Sequence, residues 1–242
     1  MKRIIGSTKA ISKLLPVGIT AFLVQVGSVH AQHQPAAKAT AQVGYINVLN
    51  ELSVTTNQTS STAGTWQTIL SNTLKTPNQK DVFVSVSLEV GLLTDTLVRS
   101  KNGASDTSMA SAGVEVRVLI DGAEALPGRV VFGRRTQTLT ATFQGIIDGC
   151  LAVDTNTWSV VIDPDCVRPE ELGLILETMN ANAFNFIMAD LPSGIHNIQV
   201  QARINLGASA QAGSARARAL IGNGSVTVES VRMIRGEDIE LP

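Results

Sequence analysis

Apolar and polar positions alternate with period two along much of this chain. Between Asp81 and Leu92, the side chains Val82, Val84, Val86, Leu88 and Val90 hold one parity. Asp81, Ser85, Ser87 and Glu89 hold the other, with Phe83 as the single large apolar exception. Successive strand side chains point to opposite faces, so this spacing predicts a strand with one dry and one wet side. Val114, Val116, Val118 and Ile120 repeat the pattern against Glu115 and Arg117. Ile198, Val200, Ala202, Ile204 and Leu206 repeat it against Asn197, Gln199, Gln201 and Arg203. Ala215, Ala217, Ala219 and Ile221 do so against Arg216 and Arg218. Shorter strands are predicted over residues 43–55, 66–74, 129–143, 158–163, 172–179 and 184–189.

Turn residues punctuate these runs. Asp121-Gly122 and Leu191-Pro192-Ser193-Gly194 predict turns, and Gly222-Asn223-Gly224 predicts a tight hairpin. The asparagine run over 180–185 also reads as a turn, because asparagine tolerates left-handed backbone. Residues 57–65 and 100–112 are rich in Ser, Thr and Gly and read as exposed loops. Only Pro169-Glu170-Glu171 resembles a helical first turn. One-sided alternation implies antiparallel sheets, since parallel strands buried on both faces give continuous apolar runs. About ten strands with short connections make the expected fold all-β: a two-sheet antiparallel β-sandwich, with the jelly roll as one form of it.

The N-terminus has a different pattern. Lys2, Arg3, Lys9 and Lys13 precede an apolar stretch from Leu14 to Val26, and Val29-His30-Ala31 supplies small residues for cleavage. Residues 1–31 therefore read as a secretory signal peptide, with the mature chain starting at Gln32. The stretch is shorter than the roughly 20 apolar residues that a membrane span requires. Residues 32–41 are small and polar and read as a flexible arm, leaving residues 42–242 as one sandwich domain. The expected location is secreted or periplasmic, with no transmembrane segment in the mature chain.

Removing the leader changes the charge balance. It carries four of the 19 Lys and Arg residues and no acid, so 15 cations face 20 acids and the net charge is −5. That balance argues against nucleic acid as a partner. Arg216, Arg218, Arg232 and Arg235 cluster late in the chain and read chiefly as solvent-facing strand positions. In an oxidising compartment Cys150 and Cys166, the two cysteines, are expected to form a disulfide.

Candidate chemistry is sparse, and no catalytic, cofactor or metal residue is assigned. The histidines of the mature chain are His33, in the arm, and His196, which shares parity with Ile198 and Val200 and reads as a core-edge residue. No Gly-x-Ser-x-Gly elbow accompanies it. Calcium, which needs only oxygen ligands, is the one cofactor the composition accommodates. Asp148, Asp154, Asp163 and Asp165 bracket the disulfide loop, although aspartates are also common turn residues. Glu89, Glu115, Glu177 and Glu229 are the acids on or near predicted strands that a glycosidase would have to pair. Aromatics make up only 4% of the chain. Trp158 shares parity with Val160 and Ile162 and reads as core, whereas Trp66 follows a polar loop and reads as the better exposed sugar platform. Asn57-Gln58-Thr59 and Asn223-Gly224-Ser225 match glycosylation sequons. These features favour an exported, non-catalytic binding or assembly protein, with homo-oligomerisation through an open strand edge or sheet face as one route. A carbohydrate-binding or carbohydrate-acting protein is the alternative.

Overall fold

A computed structural model of the chain describes residues 38–233 apart from 148 and 164; the leader and residues 32–37 lie outside this range. The described residues contain no helix. Their strands are β1 (Lys38–Val54), β2 (Gln58–Ala63), β3 (Gln67–Thr76), β4 (Lys80–Ser100), β5 (Ser105–Ile120), β6 (Ala123–Glu124), β7 (Val130–Thr142), β8 (Leu151–Asp154), β9 (Ser159–Ile162), β10 (Glu170–Leu191), β11 (Gly194–Ala210) and β12 (Ser214–Val231). Sheet A has the order β1-β12-β4-β10. In sheet B, β2 and β3 pair with one side of β11, whose other side pairs with β5; β5 in turn carries β7 and the short β6. Every pairing is antiparallel. Counting β2 and β3 as one broken strand and setting aside β6 and the β8–β9 hairpin leaves eight long strands. They form two four-stranded sheets in jelly-roll order.

The two inner faces make one core. Val82, Val84, Val86, Leu88 and Val90 of β4 are buried with Ala217, Ala219, Ile221, Val226 and Val228 of β12. They join Val114, Val116, Val118 and Ile120 of β5 and Ile198, Val200, Ala202 and Ile204 of β11 in the same cluster. Each fully buried Val, Leu or Ile contributes about 1.5–3 kcal/mol. The outer-face pairs Arg216–Asp95 (3.2 Å) and Arg218–Glu177 (3.5 Å) are solvent-screened and contribute at most about 1 kcal/mol each. Inner-face burial therefore dominates the stability of sheet A.

Several strands extend beyond their apolar alternation. β4 continues past Leu92 with Thr94, Thr96, Val98 and Ser100 facing inward, and β5 begins with Asp106 and Ser108 buried. These inward positions are polar, which is why residues 100–112 read as a loop. Each finds a partner, as buried polar groups must. Asp106, 2% exposed, accepts the backbone N–H groups of Arg99 and Ala212, both at 2.8 Å. Ser108 donates to the Leu97 carbonyl at 2.8 Å, and Ser100 donates to the Ala104 carbonyl. The buried Gln137 of β7 accepts from Thr94 at 2.8 Å and donates to Thr96 Oγ1 and the Leu174 carbonyl, both at 2.6 Å.

Other elements also differ from expectation. The run 180–185 lies inside β10 in continuous register with β4, so its asparagines do not turn the chain. Gly222-Asn223-Gly224 is a register shift within β12 rather than a hairpin. Glu170 and Glu171 start β10 rather than a helix, and residues 58–63 of the polar 57–65 segment form β2. Lys38–Ala41, part of the segment read as an arm, pair with residues 227–230 of β12. Asp121 and Gly122 do turn, both with positive φ (53° and 88°), between β5 and β6.

Replacing Gln137 with Ala should lower unfolding stability by about 2–4 kcal/mol, because two buried threonine hydroxyls lose their amide partner. Urea unfolding checks this, and a change under about 0.5 kcal/mol would show that water replaces the amide without cost.

Candidate functional site

A group of exposed apolar side chains lies on the β8–β9 hairpin, inserted between β7 and β10. Leu151 pairs with Ile162 and Val153 with Val160, so these four side chains share one face of the ribbon. All four are exposed, and Trp158 at the turn is 83% exposed. Trp158 has φ of 50°, a left-handed value that carries its ring out of strand alternation. Its parity with Val160 therefore does not bury it. At the tip, Asp154 accepts the Asn156 N–H at 2.8 Å and the Thr157 hydroxyl at 2.9 Å. These bonds, the Asn156 amide first, hold its carboxyl below the ordinary range. At the base, Cys150 and Cys166 are disulfide-bonded, Ile146 bridges Arg168, and Lys101 Nζ donates to the Val167 carbonyl at 3.3 Å.

The expected calcium ligands do not converge. Asp154 is at the hairpin tip, Asp163 lies beyond its base, and Asp163 Oδ1 accepts the Asp165 N–H at 3.0 Å, a turn-capping bond. Asp148 lies outside the described residues. Among the described residues, no three His, Cys, Asp or Glu side chains come together as a metal-holding group.

His196 is 4% exposed and clamps one end of the sandwich. Its Nδ1 lies 2.7 Å from Asp121 Oδ2, and its Nε2 lies 3.0 Å from Thr76 Oγ1 and 2.9 Å from the Pro192 carbonyl. An Asp-His-Thr line has the outline of a hydrolytic triad. Here, however, the Thr76 hydroxyl is committed to the Pro192 carbonyl at 2.7 Å, and Thr76 is 1% exposed. The line joins the β5–β6 turn, the end of β3 and the β10–β11 turn. The hydrogen bond from His196 and then the Asn197 N–H hold the Asp121 carboxyl below the usual carboxylate range.

The two tryptophans exchange their expected places. Trp66 is half-buried on the outer face of sheet B, with the guanidinium carbons of Arg117 and Arg203 at 4.5 and 4.7 Å from its ring centroid. Arg203 pairs with Glu115 at 2.7 Å, and Arg117 donates to Gln201 at 3.0 Å. The ring is thus engaged by its own sheet. Of the other candidate acids, Glu177 pairs with Arg218 and Glu89 accepts from Asn223 at 2.8 Å. Arg216 and Arg218 sit on outward positions of β12 and are both paired with acids. A depression of about 620 Å³ at one end of the sandwich includes Arg99, Lys101 and Asp106. Arg99 there pairs with Glu171 at 2.7 Å.

This chain matches no family model and no curated protein. Among solved structures, a D431N mutant VP2 protein of infectious bursal disease virus, from T=1 particles, aligns with 79% of this chain at 9% identity and a TM-score of 0.17. Another T=1 particle structure from infectious bursal virus aligns with 77% at 8% identity and a TM-score of 0.14. The chain spans 40% of the length of each. The fold assignment rests on the strand order.

Two outcomes follow. Asp121→Asn should lower stability at neutral pH by about 1 kcal/mol. A depressed carboxyl contributes fully above the ordinary carboxylate pKa of about 3.9 and loses that contribution as pH falls through its folded value. The gap between wild type and Asp121→Asn should therefore close as pH falls below the ordinary carboxylate range, as read by thermal melts across pH; a gap independent of pH contradicts the assignment. Separately, replacing Cys150 and Cys166 with Ser should barely move the sandwich's melting transition, because the hairpin's apolar face packs on no sandwich strand. The loop constraint, worth about 3 kcal/mol, would be lost locally, and limited proteolysis within 147–166 should accelerate by about a hundredfold.

Proposed function

We propose that this protein is an exported, non-catalytic jelly-roll module that acts by binding or assembly at the cell surface or in the periplasm. The observation that carries the reading is the β8–β9 hairpin: a ribbon pinned at its base by a disulfide and holding an apolar face and a tryptophan in solvent. Exposed apolar patches of this kind mark interaction sites, and tryptophan is enriched among residues that dominate binding energy. The hairpin also has a charge signature. Between Gln144 and Cys166 the sequence contains four aspartates and no lysine or arginine. A matching partner offers an apolar cleft with cations at its margin, and an anionic lipid surface is disfavoured.

The carbohydrate alternative needs an open aromatic platform. Trp66 is stacked on Arg117 and Arg203, which leaves Trp158, 83% exposed at the hairpin turn, as the one open ring. A single ring supplies little of the stacking surface that sugar recognition uses.

The test is retention of labelled protein on the envelope of the producing cell. Leu151→Ser, Trp158→Ser and Val160→Ser together should reduce retention by about tenfold or more while leaving the sandwich folded. Equal retention of wild type and variant would overturn the role given to the hairpin.

A further inference from the structure

Open sheet edges invite pairing with other chains, and proteins blunt them with bulges, breaks, prolines and lysines. This sandwich blunts three of its four edges. β1 shifts register between Tyr45 and Val48. The β2–β3 edge is broken between Ala63 and Gln67. β7 carries one extra residue opposite Val114 and Glu115. β10 is the exception: it keeps one register with β4 from Glu170 to Met188, with no proline, lysine or arginine in that span.

The free backbone groups of β10 can be placed. Ile187 exchanges both of its backbone bonds with Leu126, on the side away from β4. Strand backbone groups alternate sides, so odd-numbered residues from 173 to 185 also direct N–H and C=O to that side. Among the described residues no backbone group meets them there. The side chains along this edge are apolar as well. Ile175 and Met179 on the outer face are 62% and 56% exposed, and Leu174 and Phe184 on the inner face remain exposed at the sandwich margin.

We propose that a second copy of this chain extends sheet A by antiparallel pairing of β10 with β10 about a two-fold axis at Met179. The proposal rests on the assembly reading above and names its partner. A two-fold axis matches the unblocked edge with itself, so both sets of free groups are used together. The free span 173–185 has its midpoint at Met179, and charge excludes registers that set acids against each other. Centring on Glu177 sets that carboxylate against its own copy, and centring on Leu174 sets Glu171 against Glu177; like charges directly opposite are destabilising. Centring on Met179 sets Glu177 against Ala181 and brings Leu174 opposite Phe184. Residues 173–185 of each copy then pair along their whole length. β7, the edge of sheet B beside β10, brings the second layer to the same seam and widens the contact toward the area of a stable dimer, about 800 Å² per partner.

The experiment is size-exclusion chromatography with light scattering over a concentration series. It uses wild type, Ala181→Pro and Ile175→Lys. Position 181 points its N–H away from β4, so proline there keeps the β4 ladder and removes one intermolecular donor. Lysine at 175 places a charge in the seam without touching the backbone. Wild type should approach twice the mass of one chain, and both variants should remain single chains with unchanged circular dichroism and a cooperative melting transition that no longer shifts with concentration. Amide exchange at odd residues 173–185 should be about tenfold or more slower in wild type than in either variant. A single-chain mass for wild type at every concentration overturns the proposal and leaves the hairpin to its own retention assay. A two-chain mass unaffected by both variants also overturns it, while keeping assembly through another surface.

Discussion

The fold depends on a parity constraint shared by two sheets. β4 and β12 direct one parity of side chains into the same layer that β5 and β11 fill from the opposite side. A one-residue slip in any of these pairings would turn Val84, Val86 and their neighbours to solvent and bring Ser85, Ser87 and Glu89 into the core. That exchange forfeits several buried aliphatic side chains and strands a carboxylate, a cost far above any single surface contact. Register is therefore set by the inner face, and the outer faces are free to vary. The Ser- and Thr-rich outside of sheet B and the paired charges outside sheet A follow from that freedom.

The core is not uniform along its length. Toward one end it is built from Val, Ile and Leu. Toward the other the inward positions are Ala208, Ala210, Ala215, Thr94, Thr96, Ser108 and Asp106, and hydrogen bonds hold the layers where aliphatic bulk is missing. Gly213 lies so close to β4 that a Cβ would stand 1.7 Å from the Leu97 carbonyl, which places the chains in near contact there. This division governs what the sequence discloses. The aliphatic half of each strand was legible as alternation. The polar half was not, because alternation is visible only where the inward residues are more apolar than the outward ones. Asp106 and Ser108 are as polar as Ser105 and Thr107, so parity carries no contrast across that stretch even though the strand continues.

The tryptophans illustrate a second limit. Parity with Val160 and Ile162 would bury Trp158 if the ribbon lay against a second layer. The β8–β9 hairpin has no such layer, so its parity separates two solvent-facing sides. Trp66 follows a polar segment, which suggests exposure, but that segment is itself an edge strand that leads the ring onto Arg117 and Arg203. Sequence reading located both residues beside the elements that matter. It could not say which elements had a neighbour, because that depends on sheet order. The disulfide pairing and the core-edge position of His196 needed no such knowledge and were legible from the cysteine count and from parity. The acceptors around His196 were not, since Asp121, Thr76 and Pro192 come from three separate turns.

The four sheet edges differ in how they resist pairing. Bulges and breaks cost ladder hydrogen bonds, so their presence on β1, on β2–β3 and on β7 indicates a benefit from keeping those edges unpaired. The same pressure acting on β10 would be expected to introduce a lysine, a proline or a kink somewhere in nineteen residues of unbroken register, from Glu170 to Met188. None is there. Glu170, Glu171 and Glu177 are the only charges in that span; Glu170 accepts the Gly145 N–H at 2.9 Å, and Glu171 and Glu177 pair across sheet A with Arg99 and Arg218. The hairpin just upstream of β10 differs: among the described residues, Asp154, Asp163 and Asp165 beside its apolar face have no lysine or arginine partner. The two exposed apolar features thus differ in their charge surroundings: the β10 edge carries acids paired with arginines across its own sheet, and the hairpin does not.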